Sequence, residues 1–117
     1  MAKWNADGGR FFMSAEDLTT QAGIGIQQDL VLASLVGASH IERNGHHYVD
    51  GMASAPAGER AAYLAHHGDL YASASGNARL AIRDGSVALG SVLGAVGLGS
   101  AVEPDWSGMS ELAGAHA

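Results

Sequence analysis

The first 43 residues carry apolar patterns of two kinds: a short continuous run and a longer stretch at helical spacing. Residues 10–13 form an apolar run of strand type, after a lead-in over 1–9 that ends in two glycines and is predicted to be flexible. Ser14 is a good helix N-cap, and Asp17 stands at the third helical position, a carboxylate form of the capping box. We therefore predict a strand over 10–13, a sharp turn, and a helix that starts at Ser14.

The pattern then predicts a helix that leads into a second strand. Threonines and glycines weaken the helical pattern over 19–25, but it improves from Ile26 and stops at Gly37. The apolar positions at helical spacing are Ile26, Leu30, Leu32 or Ala33, and Val36. Residues 40–43 are a short strand candidate before an Asn-Gly turn. The order strand, helix, strand over residues 10–43 predicts two parallel strands that the helix connects as a crossover.

The remainder of the chain is predicted as a mixture of loops, one helix and one hairpin. We predict a loop over 51–58, a short helix over 59–67 that Gly68 closes, and a second loop over 73–76. Residues 79–89 alternate around Asp84-Gly85, which favours a hairpin with a type I′ turn. Residues 90–101 are rich in turn-forming glycines, and 104–117 are predicted to be a poorly ordered tail.

Composition narrows the class of protein without identifying it. The 117 residues suffice for one domain, but Leu, Ile, Val and Phe number only 24, so the predicted core is thin. Twelve acidic against six basic residues give a net charge of −6, which argues against a nucleic-acid partner. The chain has no cysteine, and therefore no thiolate metal ligand or nucleophile. We see no secretory signal and no membrane-spanning segment, and we expect a cytoplasmic location.

The most polar cluster in an apolar context is Glu42 with His46 and His47. Glu42 ends the predicted second strand, and the two histidines follow in the next loop. Catalytic groups commonly occupy that position in parallel α/β folds, because the loops there converge. A solvated loop without a chemical role explains the same residues. A transition-metal site is disfavoured, because adjacent histidines in extended structure point apart.

Glu16 and Asp17 form a second carboxylate pair. If the two predicted strands are parallel neighbours, Glu16 and Glu42 lie at the same edge of a sheet and could act as acid and base. Helix capping alone accounts for Asp17, so Glu16 is the stronger candidate. His66 and His67 are interpreted as decorating the last turn of a helix, where an imidazolium suits the helix dipole. The glycine spacing over 94–99 does not match a dinucleotide-binding motif.

Several short motifs, taken in order, resemble the C-terminal end of the enolase superfamily, closest to mandelate racemase and muconate lactonizing enzymes. They are Phe-Phe-Met-Ser-Ala-Glu16-Asp17-Leu, Gln28-Asp29-Leu, His40-Ile-Glu42-Arg43-Asn44-Gly45-His46-His47-Tyr48, the Asp84-Gly85 hairpin and Gly97-Leu98-Gly99. The resemblance covers roughly residues 10–103, with little contribution from 52–78. Glu16 stands near a position where many members carry a histidine base, and Val96 stands where proline is common.

The resemblance implies an α/β fragment of a modified TIM barrel. Residues 10–50 would hold its last two strands and the helix between them, and residues 51–103 a C-terminal extension with a helix and a hairpin. Such enzymes abstract a proton α to a carboxylate and stabilise the enediolate on Mg²⁺, as in sugar-acid dehydratases or racemases. The Mg²⁺ ligands and catalytic lysines of the family lie on earlier strands, which this chain lacks, so we expect the isolated chain to be inactive.

The resemblance also suggests roles for individual residues. Glu42 would bind the substrate carboxylate or its enediolate, and Glu16 is the second catalytic candidate. Asn44, His46 and His47 would contact a carboxylate-bearing small-molecule substrate. The alternative hypothesis is a small acidic interaction module that forms a homo- or hetero-oligomer.

Overall fold

The computed structural model describes residues 2–17, 23–43, 50–96, 99–108 and 110, with the backbone alone at 16, 17, 42 and 43. The described chain mixes helices and strands and contains two small sheets, which agrees with an α/β class at a coarse level. In chain order the elements are α1 (Ala2–Ala6), β1 (Ser14–Asp17), α2 (Ile24–Leu35), β2 (His40–Arg43), α3 (Ala57–His66), β3 (Tyr71–Ala74), β4 (Asn77–Leu80) and α4 (Gly90–Leu93).

The first sheet consists of β1 and β2, which pair in parallel. The prediction of a strand over 10–13 and a helix start at Ser14 was wrong, because Ser14–Asp17 is itself the strand. The Ser39 N–H donates to the Met13 carbonyl over 3.1 Å and begins the pairing with β2. Cross-strand hydrogen bonding therefore overrides the local capping signal, which predicted a helix from side-chain type alone. The second strand, His40–Arg43, has the predicted boundaries.

Helix α2 connects the two parallel strands and ends at the predicted glycine. Gly37 has a φ of 81°, and its N–H donates to the Ser34 carbonyl. The Ala38 N–H donates to the Ala33 carbonyl over 2.8 Å. These two bonds form a Schellman motif, which needs a left-handed residue after the helix and favours glycine there. The predicted stop is therefore confirmed, together with its mechanism.

The second sheet is a tight hairpin of β3 and β4 that the sequence analysis missed. Residues 73–76 were predicted to be a loop, but they contain the end of β3 and the turn. Ser75 and Gly76 have φ values of 53° and 75°, the left-handed pair that a type I′ turn requires. Ser-Gly supplies this turn less obviously than Asn-Gly or Asp-Gly, and this weaker signal explains the error.

The hairpin predicted around Asp84-Gly85 is present only as its turn. Asp84 and Gly85 have φ values of 51° and 74°, as the type I′ prediction requires. Beyond them, Arg83 and Ser86 form one isolated antiparallel bridge. The first strand of the predicted hairpin does not form, because Asn77–Leu80, before Arg83, pairs with β3 instead. The predicted turn is therefore confirmed, and the predicted long flanking strands were wrong.

One hydrophobic core joins the two halves of the chain. The buried face of α2 packs on residues of α3, β3, β4 and α4, and the Met52 side chain fills the space beside them. The fully buried large apolar side chains of this core are Ile26, Leu30, Met52, Tyr63, Leu70, Tyr71 and Val92. Of the two alternatives at the helix face, Ala33 is buried and Leu32 is exposed.

The periphery of the molecule is open and carries several uncovered apolar side chains. Ala2–Ala6 forms a short helix that the sequence did not predict, and Trp4 and Phe11 pack on each other outside the core. The radius of gyration is 16.4 Å, against about 13 Å for a compact chain of this length. Among the described helices, none has the length and apolar character that crossing a membrane requires.

Candidate functional site

The two predicted carboxylate residues, Glu16 and Glu42, occupy paired positions in the parallel sheet. The register runs from Ser14 opposite His40 to Asp17 opposite Arg43, with Glu16 opposite Glu42. Parallel pairing brings the carboxyl-terminal ends of both strands to one edge of the sheet. The expected side-by-side, same-direction arrangement of the two strands is therefore confirmed. The chemical roles of Glu16 and Glu42 remain predictions.

The three residues predicted to contact substrate lie beyond the end of β2. Asn44, His46 and His47 are outside the described residues. The beginning of β2 is described in detail. The Phe12 ring lies against the His40 imidazole with a centroid separation of 4.0 Å, and Ser39 Oγ is 2.9 Å from His40 Nδ1. These contacts hold the start of β2 against the residues that precede β1.

A cavity of about 400 Å³ lies between α2, β2 and residues 80–89. Its walls are apolar at Leu30, Ile41 and Leu80, and hydroxyls come from serines at positions 34, 39 and 86. No residue of its described lining is acidic, basic or a histidine. The cavity can hold an apolar group, but its described walls supply no general acid or base.

A polar network in the second half of the chain brings together His67, Asp69 and Ser91. His67 Nδ1 lies 2.9 Å from Ser91 Oγ. The Ser91 hydroxyl forms a short hydrogen bond with Asp69 Oδ1, and the Ser91 N–H donates to Asp69 Oδ2 over 2.9 Å. The other imidazole nitrogen, Nε2, accepts the N–H of Ala101 over 3.0 Å. The network therefore links the end of α3, the start of α4 and the segment after Gly99.

The protonation state of this network follows from its donors and from burial. His67 is 0% exposed. Burial lowers the pKa of His67, and the His66 charge lowers it further, although the Asp69 carboxylate raises it. Burial alone would raise the pKa of Asp69, but hydrogen bonds from Ser91 and from the Leu70 N–H bring it below its usual value. Near neutral pH the network holds a neutral imidazole and a charged carboxylate.

The direction of these hydrogen bonds excludes Ser91 as a nucleophile activated by His67 in this arrangement. Because Nε2 accepts from Ala101, the proton of the neutral imidazole is on Nδ1 and is donated to Ser91 Oγ. The Ser91 hydroxyl then donates to Asp69. An activated serine must instead donate its proton to the imidazole. The network is therefore structural, and it orients three segments of chain.

A second buried network surrounds Gln27, which is also 0% exposed. Gln27 Nε2 donates to the Gly99 carbonyl over 2.8 Å, and Gln27 Oε1 accepts from the Tyr71 hydroxyl over 3.0 Å. The same hydroxyl lies 3.2 Å from the Gly23 carbonyl. Burial, with the nearby Tyr63, raises the pKa of Tyr71, although a hydrogen bond to Gly23 opposes this shift. The hydroxyl therefore acts only as a neutral donor.

Neither network is visible in the sequence. His67 was interpreted as an imidazolium at a helix end, and this was wrong, because the residue is buried with a lowered pKa. His66 is the exposed member of the pair. The hydrogen-bond partners of His67, Ser91 and Ala101, lie 24 and 34 residues away in the chain. Residues so distant give no spacing signal. Only the four-residue spacing between Tyr63, in the last turns of α3, and His67, which directly follows α3, favours burial of His67.

A metal site needs several nitrogen or oxygen ligands that converge on one point. Within the described part of the chain, no three His, Cys, Asp or Glu side chains converge as a metal site requires. The described residues therefore do not fit the Mg²⁺ that the family resemblance implies. Comparison of the chain with protein-family models, curated proteins and solved structures finds no match.

Proposed function

We propose that this chain is the C-terminal part of an enolase-superfamily enzyme of the mandelate racemase or muconate lactonizing type. Such an enzyme abstracts a proton α to the carboxylate of a small molecule, in the cytoplasm, as a sugar-acid dehydratase or racemase does. The supporting observation is the pairing of β1 with β2, in parallel and joined through α2, with Glu16 opposite Glu42. In this proposal the two strands are the last two of a modified TIM barrel.

The chemistry proposed for these residues is acid–base. Glu42, when protonated, donates a hydrogen bond to the oxygen that gains charge as the α-proton leaves, and Glu16 orients the substrate or carries a proton. Asn44, His46 and His47 bind the substrate beside them. Two carboxylates at paired positions of neighbouring strands favour the sharing of one proton, because like charges on such residues repel. The Mg²⁺ of the complete enzyme would have its ligands on other strands, and we derive no step through it.

The open surface of the first sheet supports the idea that more strands belong beside it. Parallel sheets are normally covered on both faces, and a barrel leaves no strand edge unpaired. Here β1 and β2 form a sheet of two strands, and the neighbouring Phe12 side chain is 61% exposed. In the proposal, the missing barrel strands cover this surface, so the isolated chain is expected to be inactive.

The test begins with the DNA upstream of Met1: if it encodes the barrel strands in frame, the longer product is assayed. Incubation with Mg²⁺ and a panel of sugar acids in D₂O, followed by proton NMR, detects loss of the α-proton signal. We expect exchange in the extended protein and a loss of at least about a hundredfold in Glu42→Gln, the scale of one general acid. Glu103→Gln, which changes an exposed carboxylate, is the matched control. The proposal is wrong if no barrel strands precede Met1, or if Glu42→Gln exchanges as fast as the control.

A second function is favoured by one specific observation, the apolar outer face of α2. Leu32 is 60% and Leu35 75% exposed, and Val36 follows beside them. A helix that is apolar around most of its circumference is normally covered. As an interaction module, the chain would form a homo- or hetero-oligomer through this face.

Sedimentation velocity separates the two functions. A stable dimer with a sharp thermal transition, which Leu35→Glu dissociates while Leu93→Glu does not, favours the interaction module. Leu93 is a matched control because it is an exposed leucine on a different helix. A monomer at all concentrations argues against self-association.

A further inference from the structure

Residues 99–108, here called the C-terminal strap, are held to the core by a small number of side chains. The Gly99 carbonyl accepts from Gln27, the Ala101 N–H donates to His67, and the Asp105 N–H donates to Glu59 Oε2 over 2.9 Å. Val102 is buried in the core. The strap forms no helix or strand of its own. Its attachment therefore depends on these few hydrogen bonds and on burial of the Val102 side chain.

These attachments differ in their response to acid. The Gln27 amide does not titrate, so the bond to Gly99 persists as pH falls. The bond from the Ala101 N–H needs an unprotonated Nε2 on His67. Protonation of Nε2 creates an N–H group that faces the Ala101 N–H and cannot accept a hydrogen bond from it. Gly99 itself is buried, with a φ of 73° that favours glycine. The attachment of the strap at Gly99 is therefore independent of pH, whereas its attachment at Ala101 depends on pH.

We propose that the C-terminal strap is an acid-released segment, in which protonation of His67 detaches residues 100–108 from a core that otherwise stays folded. The groups that face His67 are consistent with this assignment. From α3 it meets the Tyr63 ring, 6.5 Å between centroids, and the neighbouring His66. From the following turn it meets Asp69, whose backbone carbonyl accepts from Arg83. From α4 it meets Ser91, which is uncharged.

The sign of the effect follows from the folded environment. The pKa of His67 in the closed form lies below the ordinary value of 6.5. The attachment is therefore intact above pH 6.5 and weakens as pH falls below that value. For one proton, the ratio of open to closed strap rises about tenfold per pH unit until the closed form is itself protonated. Asp69, whose pKa is below 3.8, stays charged over this range.

Amide hydrogen exchange followed by NMR tests the proposal. Protection factors, which correct for the intrinsic dependence of exchange on pH, are compared at pH 7.5 and pH 5.0. We expect the amides of Ala101, Val102 and Asp105 to lose at least about tenfold in protection at the lower pH. The amides of α2 and α3 keep theirs. Two-dimensional spectra of the His67 imidazole should show it titrating with the same midpoint as the strap.

The adjacent histidines provide a matched pair of variants. His67→Gln replaces the imidazole with a side chain that accepts but does not titrate, so the pH dependence of strap protection disappears even if stability falls. His66→Gln changes the exposed neighbour and keeps a loss of strap protection at pH 5.0, although the pKa of His67 is less depressed once the His66 charge is removed. The proposal is overturned if strap protection is equal at the two pH values or if His67→Gln retains the loss. It is also overturned if α2 and α3 lose protection together with the strap, because that is whole-molecule unfolding.

Discussion

Tyr71→Phe removes one hydroxyl from the centre of the molecule and leaves its ring in place. The hydroxyl is buried and donates toward Gln27 Oε1 at 3.0 Å and the Gly23 carbonyl at 3.2 Å. The ring keeps its edge contact with Tyr63, 5.6 Å between centroids. The variant therefore tests the hydrogen bonds and leaves the apolar packing nearly unchanged.

The size of the expected effect follows from the acceptors that remain. A hydroxyl has one hydrogen, so it can fully satisfy one acceptor at a time. A buried acceptor that loses its donor costs about 1–3 kcal/mol. We therefore expect Tyr71→Phe to lower the free energy of unfolding by about 1–3 kcal/mol. For a domain of this size, about 4 °C is lost per kcal/mol, which predicts a drop in Tm of about 4–12 °C.

Urea unfolding, followed by far-UV circular dichroism, measures this loss and assigns it to a pair of atoms. Gln27→Met removes the amide while keeping an unbranched chain of similar length. In the Gln27→Met background, Tyr71→Phe no longer leaves the Gln27 oxygen without a donor. The loss of unfolding free energy caused by Tyr71→Phe should therefore be smaller there by at least about 0.5 kcal/mol. Gln28→Met makes the same change one position along the helix and serves as the control. Additive losses in the double variant would refute the assigned hydrogen bond.

Three further predictions concern the core, a backbone contact and the polar network. Leu30→Ala empties a fully buried site and should cost about 2–5 kcal/mol in urea unfolding. Gly51→Ala should lower the free energy of unfolding by at least as much as Leu30→Ala, because φ is 54° and the new Cβ would collide with the Ala78 carbonyl. A variant as stable as the parent would contradict that contact. Ser91→Ala removes the hydroxyl that donates to Asp69 and lowers its pKa, but keeps the backbone N–H that donates to the same carboxylate, so it should cost about 1–3 kcal/mol at pH 7. Stability that the lowered pKa provides is present above pH 3.8 and is lost as pH falls below it, so the acid limb of a pH–stability curve should be shallower in Ser91→Ala than in the parent.

The elements that the sequence predicted well are those whose signals are local. Gly37 ends α2 because one left-handed residue completes its final hydrogen bonds, and that requirement is visible in one glycine. The Asp84-Gly85 turn also has a local signal, because two adjacent residues that tolerate a positive φ are enough to specify it. The parallel arrangement of β1 and β2 was also predictable, because a strand, a helix and a strand of these lengths leave few other topologies.

The errors occur where partners distant in sequence decide the structure. Ser14 has the side chain of a helix cap, but the backbone pairing with β2 makes it a strand residue. His67 stands at a helix end, where exposure is common, but Ser91 and Ala101 enclose it. At the candidate site, the sequence predicted that Glu16 and Glu42 lie at one edge of a parallel sheet, but it placed Glu16 in a helix start and not in the strand. It could not predict the buried networks, because no periodicity connects their members.

The bond between Gln27 and Gly99 joins residues 72 positions apart. During synthesis, an emerging polypeptide can complete this contact only after Gly99, which lies 72 residues beyond Gln27, has left the ribosome. Until then, α2 is exposed with apolar side chains on both of its sides, a condition that favours aggregation. Contacts so distant in sequence also slow folding, because the intervening chain must lose its freedom first. Binding of a chaperone to the nascent chain should therefore centre on residues 24–36 and end once the glycine-rich region near residue 99 has docked.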